Sequence, residues 1–154
     1  MSTARLLEHH PLLARVGPDH LGRIARAGQL ETFAPGEEVV SEGTLGDALY
    51  LVLTGEVEVA KAGHALARLG PGNFFGEMAL IEPAPRSATV TAVAASFLYR
   101  LPYLELQQLM RHDPRAGNAL LIEVVKTLTE RLREANRMVS SVGELADWLA
   151  GSLV

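Results

Sequence analysis

The sequence predicts an α+β fold that is mainly β: a roll or barrel of short strands with helices before and after it. Three observations carry this. Between Glu31 and Tyr103 the apolar residues alternate in short runs. Glycine punctuates the same stretch at Gly36, Gly43, Gly46, Gly55, Gly63, Gly70, Gly72 and Gly76, as a tightly wound sheet requires where it reverses direction. On both sides of it the apolar spacing returns to a helical period.

At the N-terminal side Leu12, Leu13, Val16, Leu21, Ile24 and Ala25 fall as two small helices, broken at Gly17-Pro18, with Asp19 placed to cap the second. Strands are expected at 38–41, 49–54, 57–60, 65–69, 87–93 and 97–101. After Pro102 one helix runs from Tyr103 to His112 and stops at Asp113-Pro114; a longer one follows from Arg115 to about Val139. Along it Leu121, Val125, Leu128, Leu132, Ala135, Val139 and Val142 alternate at spacings of four and three, the seam of a coiled-coil-like face. Such a seam is covered either by a second copy, giving a homodimer, or by the chain's own roll. Beyond Gly143 a short amphipathic piece carries the single tryptophan, Trp148, as a lid, an arm or a tail. The expected organisation is one domain over 1–142, with its roll at about 31–102, and a tail over 143–154.

Composition narrows the function classes. A chain of 154 residues suits one hydrophobic core. With no cysteine there is neither disulfide nor thiolate metal site, which fits the cytoplasm. The first ten residues lack an apolar signal region and no later stretch reaches a spanning length, so neither export nor a membrane is expected. A net charge of −4 gives no general attraction for nucleic acid. His9, His10, His20, His64 and His112 show no paired spacing that would gather a metal, and all are expected to be solvated. Neither a metal nor a cofactor is implied. The mixed-sign runs 111–113 and 131–134 read as exposed helix faces.

The chemistry lies in 74–90, FFGEMALIEPAPRSATV. Gly76 allows close backbone approach, and the turn Glu77-Met78-Ala79-Leu80 offers N–H groups to an anion. Arg86 presents a planar fork of donors matched to two phosphate oxygens. Glu77 conflicts with a bare phosphate, and a sugar hydroxyl resolves the conflict by donating to its carboxylate. Ser87 adds a hydroxyl and Ala88 keeps the wall small. One arginine and one turn are sized for one phosphate. No nucleophile or metal site falls between Arg86 and Glu77, so an enzyme is not expected.

At Phe75, Gly76, Glu77, Ala79, Leu80, Pro85, Arg86, Ser87 and Ala88 the sequence resembles the phosphate-binding cassette of the cyclic-nucleotide-binding family, F-G-E-x-A-L followed after a short loop by P-R-S/T/A-A. That family includes the sensor domain of the catabolite activator protein, regulatory subunits of cAMP-dependent kinase and cyclic-nucleotide-gated channels. Segments 33–37 and 42–57 extend the resemblance, which covers roughly 10–140. It implies an eight-stranded, jelly-roll-like β-roll flanked by short N-terminal helices and a long C-terminal helix. It implies a cyclic mononucleotide as ligand, cAMP favoured over cGMP. Glu77 would take the ribose 2′-OH and Arg86 the cyclic phosphate, with the amides of Gly76, Met78 and Ala79 completing a cradle lined by Ser87 and Ala88. Arg131, Glu134, Ala135 and Trp148 are candidates to cover the base. The signal would pass through the C-terminal helices to a dimer interface or a downstream protein. Many bacterial relatives add a DNA-binding helix-turn-helix, and none is expected in the short segment after Val142. The alternative is a nucleotide-independent β-roll interaction or dimerisation module, or a detached regulatory subunit.

Overall fold

The computed structural model describes residues 2–77, 80 and 83–152, the side chains of Trp148 and Ser152 excepted. The chain divides into two compact units, Met1–Leu120 and Leu121–Val154, each described by itself.

The first unit opens with α1 (Thr3–Glu8), a 3-10 turn (Pro11–Leu13) and α2 (Pro18–Ala27). Gly17, not Asp19, is the N-cap of α2: Pro18 takes the first helical position with its preset φ, and Asp19 sits in the first turn, facing the positive end of the dipole. Among the described residues eight strands follow: β1 (Gln29–Phe33), β2 (Glu38–Val40), β3 (Ala48–Thr54), β4 (Val57–Lys61), β5 (His64–Leu69), β6 (Phe74–Phe75), β7 (Thr89–Ala92) and β8 (Ser96–Pro102). They form two antiparallel four-stranded sheets in the orders β1-β8-β3-β6 and β2-β7-β4-β5, the eight-stranded roll that the resemblance implies.

Strand β3, ALYLVLT, is apolar on both faces, as a strand covered on both sides must be. Ala48, Tyr50 and Val52 join Val57, Phe75, Val90 and Leu98 in the core, while Leu49 and Leu51, on the opposite face, are also fully buried. Each large side chain taken out of water here contributes roughly 1.5–3 kcal/mol. Strand β8 pairs with β1 on one edge and β3 on the other, and carries Tyr99. The Tyr99 hydroxyl donates to the Ile24 carbonyl and accepts from Gly28 N–H at 2.9 Å, tying the end of α2 to the sheet. A side chain at Gly28 would strike that hydroxyl, so glycine is required by space. Burial pushes the Tyr99 pKa up to about 12, and the group remains a donor at neutral pH.

Helices α3 (Tyr103–His112) and α4 (Pro114–Ser152) follow the roll. The bounds of α3 are those expected. Asp113, expected on an exposed face, is buried: one carboxylate oxygen accepts from Ala116 N–H at 3.2 Å at the start of α4, and the other meets His20 Nδ1 of α2. Helix α4 passes through Gly143 without a break and outlasts the expected end near Val139. In the second unit the seam residues Val125, Leu128, Leu132, Val139 and Val142 are exposed, and Ala146 and Leu149 continue their spacing. Among the described residues no helix is long and apolar enough to cross a membrane.

His10 departs from the expectation of a solvated ring. It is buried, its Nδ1 accepts from Leu12 N–H at 3.2 Å and its Nε2 pairs with the Asn73 carbonyl at 3.1 Å, so the ring is neutral with its proton on Nε2. Burial lowers its pKa below 6.5, against the opposing pull of the Asn73 carbonyl. The unfolded chain therefore binds a proton first as pH falls, and the stabilisation is complete above about pH 6.5 and lost through the folded-state value. Denaturant unfolding at pH 7.5 and pH 5 is expected to show that loss, and His10→Leu, although less stable throughout, is expected to flatten the slope.

Candidate functional site

The site is built on the pairing of β3. Two residues of β6 lie against it, with Tyr50 opposite Phe75 and Leu51 opposite Phe74. The Tyr50 and Phe75 rings stack at 5.1 Å between centroids and 8° between planes. The chain leaves β6 at Gly76, which has φ +92°, a conformation open to glycine at little cost. A short turn follows, and Leu80 N–H reaches the Glu77 carbonyl at 3.1 Å. Buried Leu80 anchors it.

The second half of the cassette is brought in by backbone pairing with the turn before β3. Arg86 N–H donates to the Thr44 carbonyl at 2.7 Å, Gly43 N–H donates to the Arg86 carbonyl at 2.9 Å, and Leu45 bridges Pro85. This fixes the Arg86 backbone and sends its side chain across Gly46 toward β3. The guanidinium lies 5.9 Å from the centroid of the Tyr50 ring, an attractive cation–π placement. Its Nη2 donates to the Ala48 carbonyl at 2.9 Å and its Nη1 reaches the Tyr103 hydroxyl at 3.5 Å. A Cβ at Gly46 would come within 2.9 Å of Arg86 Nε, and one at Gly76 within 2.6 Å of Nη1. Both glycines are therefore walls of the arginine's seat.

Of the residues expected at the site, the structure brings Gly76 and Arg86 into contact distance and leaves Arg86, Glu77 and Ala88 half-buried with Ser87 exposed. Met78 and Ala79 lie outside the described residues, as does the Trp148 side chain. Arg131, Glu134 and Ala135 belong to the second unit, on α4. Sequence reasoning missed Tyr103. Its hydroxyl donates to the Gly76 carbonyl, its backbone N–H donates to the Asp47 carbonyl at 3.0 Å, and burial raises its pKa against the lowering influence of Arg86. Nothing local marks it, since it reaches the cassette through the register of β3 with β8, which sets Ala48 opposite Pro102. Gly46 was legible only as a turn residue, although the arginine's need for a flat neighbour gives its second reason.

Chemically, the site offers the positive charge of Arg86, with the Glu77 carboxylate close enough to act on the same Tyr103 hydroxyl. A fork with five donors, two of them engaged by protein oxygens, retains the capacity to grip a phosphate. The family model described as the cyclic nucleotide-binding domain matches residues 30–113. The chain belongs to that family. It is 43% identical over 88 residues to a cAMP-dependent protein kinase regulatory subunit of Yarrowia lipolytica, covering 56% of this chain and 24% of the relative. It is 40% identical over 104 residues to a cyclic nucleotide-gated potassium channel of Mesorhizobium japonicum, covering 68% and 29%. The chain thus spans only a quarter to a third of the length of these relatives. A solved cyclic nucleotide-binding domain from Methylobacillus flagellatus aligns with a TM-score of 0.76 at 29% identity, over 91% of this chain and 82% of that one.

The tightness of the cassette can be measured. Gly76→Ala would place a methyl group 2.8 Å from the Ala48 carbonyl at a left-handed φ. A loss of about 2 kcal/mol in unfolding free energy is expected by chemical denaturation, from strain and displacement of Arg86 together.

Proposed function

We propose that this chain binds a cyclic mononucleotide, cAMP in preference to cGMP, and passes its occupancy on through α3 and α4. The observation that carries the reading is the seating of Arg86 between two glycines and an aromatic face, beside the turn that bears Glu77. In this reading Arg86 grips the cyclic phosphate, and the amides of Gly76, Met78 and Ala79 share its charge. Glu77 accepts from the ribose 2′-OH, and Ser87 and Ala88 line the wall. The candidates for covering the base are Arg131, Glu134, Ala135 and Trp148. The preference for cAMP is supported by the likeness to a cAMP-dependent kinase regulatory subunit. The role is regulatory and not catalytic, and its setting is the cytoplasm.

The exposed seam on α4 supports a homodimer. One heptad position holds Val125, Leu132, Val139 and Ala146 and the other Leu121, Leu128, Ala135, Val142 and Leu149, an apolar seam suited to pairing with a second helix. A seam that closes differently in the occupied and empty states would couple nucleotide and partner reciprocally.

Calorimetric titration of the nucleotide-stripped protein with cAMP and cGMP is expected to give saturable binding with cAMP tighter. Arg86→Ala is expected to cost about 3–5 kcal/mol, a several-hundred-fold loss or more; unchanged affinity in that variant would remove the mechanism. Sedimentation is expected to give a dimer for the unsubstituted chain and a monomer for Leu132→Glu. A monomer in both cases would refute the dimer and leave the nucleotide site standing.

A further inference from the structure

Tyr103 belongs to no residue set assigned to the ligand, yet it touches both halves of the cassette. Its hydroxyl has one proton and two lone pairs. The proton goes to the Gly76 carbonyl, and a lone pair faces Arg86 Nη1 at 3.5 Å. The ring is buried, and the residue is the first of α3, with its own N–H bound to Asp47 at 3.0 Å.

We infer that Tyr103 is the positioning residue of the phosphate cradle, its hydroxyl setting the Gly76 turn and the Arg86 guanidinium at the separation that a cyclic phosphate needs. The inference rests on the reading of the cassette as a nucleotide site. Its physical basis is the planarity of the peptide between Gly76 and Glu77. In a trans peptide the C=O and the following N–H point in opposite directions. A carbonyl held by the buried hydroxyl therefore aims the Glu77 N–H away from the Tyr103 ring, and Gly76, with φ +92°, is the flexible link that would otherwise let this plane turn. On the other side the contact to Nη1 is long and the bond to Ala48 is 2.9 Å, so Tyr103 steers the fork while Ala48 carries it. Preorganisation of this kind acts on affinity, because the free protein has less order left to acquire on binding.

The same contact joins the site to α3. Any displacement of the first turn of α3 moves the hydroxyl that holds Gly76 and faces Arg86, and any ligand that draws Arg86 off its seat acts back on α3.

Tyr103→Phe keeps the ring and removes only the hydroxyl, and Tyr99→Phe removes a buried hydroxyl of similar bonding in the middle of β8. Titration with cAMP is expected to show roughly a 5–30-fold weaker affinity for Tyr103→Phe, the worth of one or two hydrogen bonds, one of them to a charged group. Tyr99→Phe is expected to lower the thermal midpoint with affinity within about two-fold of the parent. In an Arg86→Lys background the penalty for Tyr103→Phe is expected to shrink, because part of it acts through the fork. Binding by the unsubstituted chain together with an unchanged affinity in Tyr103→Phe overturns the inference alone. Equal weakening by Tyr99→Phe and Tyr103→Phe also overturns it, since general loosening then accounts for both. Failure of the unsubstituted chain to bind either nucleotide overturns the cassette reading and this inference with it.

Discussion

The antiparallel pairing of β3 with β8 is the contact on which the rest of the first unit depends. Its register places Leu49 opposite Leu101 and Ala48 opposite Pro102, so the strand that lies under the cassette begins beside the residue that opens α3. A slip of one residue would turn every side chain of β3 to the other face. Tyr50 would then leave Phe75 and Arg86, and the Ala48 carbonyl would no longer accept from Nη2. Because β3 is apolar on both faces, burial alone would penalise such a slip little, and the register is held instead by the specific pairings with β6 and β8. Core packing and site geometry are thus set by the same hydrogen-bond ladder.

That ladder also explains how a single arginine is kept ready. A cation partly withdrawn from water needs oxygen acceptors, and a carboxylate bonded directly to it would compete with an arriving phosphate. Here the acceptors are a backbone carbonyl and a phenol, both neutral, with the aromatic face of Tyr50 adding attraction and no formal charge. The guanidinium is oriented without being neutralised. In the proposed reading, that charge is what meets the cyclic phosphate.

Much of this was legible in the sequence, for reasons that differ between elements. Helix α3 has sharp local signals at both ends, Pro102 before it and Asp113-Pro114 after it, and its bounds were read correctly. The central strands carry their own apolar runs, continuous in β3 because both of its faces are covered. Strand β1, QLETF, does not: it leaves Leu30 exposed and gains its place from pairing with β8, while β6 has only two residues. The continuation of α4 through Gly143 was missed because a lone glycine costs only about 1 kcal/mol in a helix, less than its flanking turns supply. Asp113 and His10 were misjudged as surface groups because their burial depends on partners distant in sequence, His20 for one and the Asn73 carbonyl for the other. The cassette was legible because its residues are contiguous. Tyr103 was not, since only the sheet register brings it there.

Helix α3 holds a position that gives the proposed signalling route a mechanical form. Its first residue is tied to the cassette through Gly76 and Arg86, and Asp113, immediately after its last, caps α4 and meets His20 of α2. A ten-residue helix spans about 15 Å and bends little over that length. Tied at both ends by side chains, it cannot shift at the cassette without loading the cap of α4 or the His20 contact. Nucleotide would therefore act on α4 to the extent that an occupied cassette and an empty one favour different placements of Tyr103, because a ligand indifferent to that placement would move nothing.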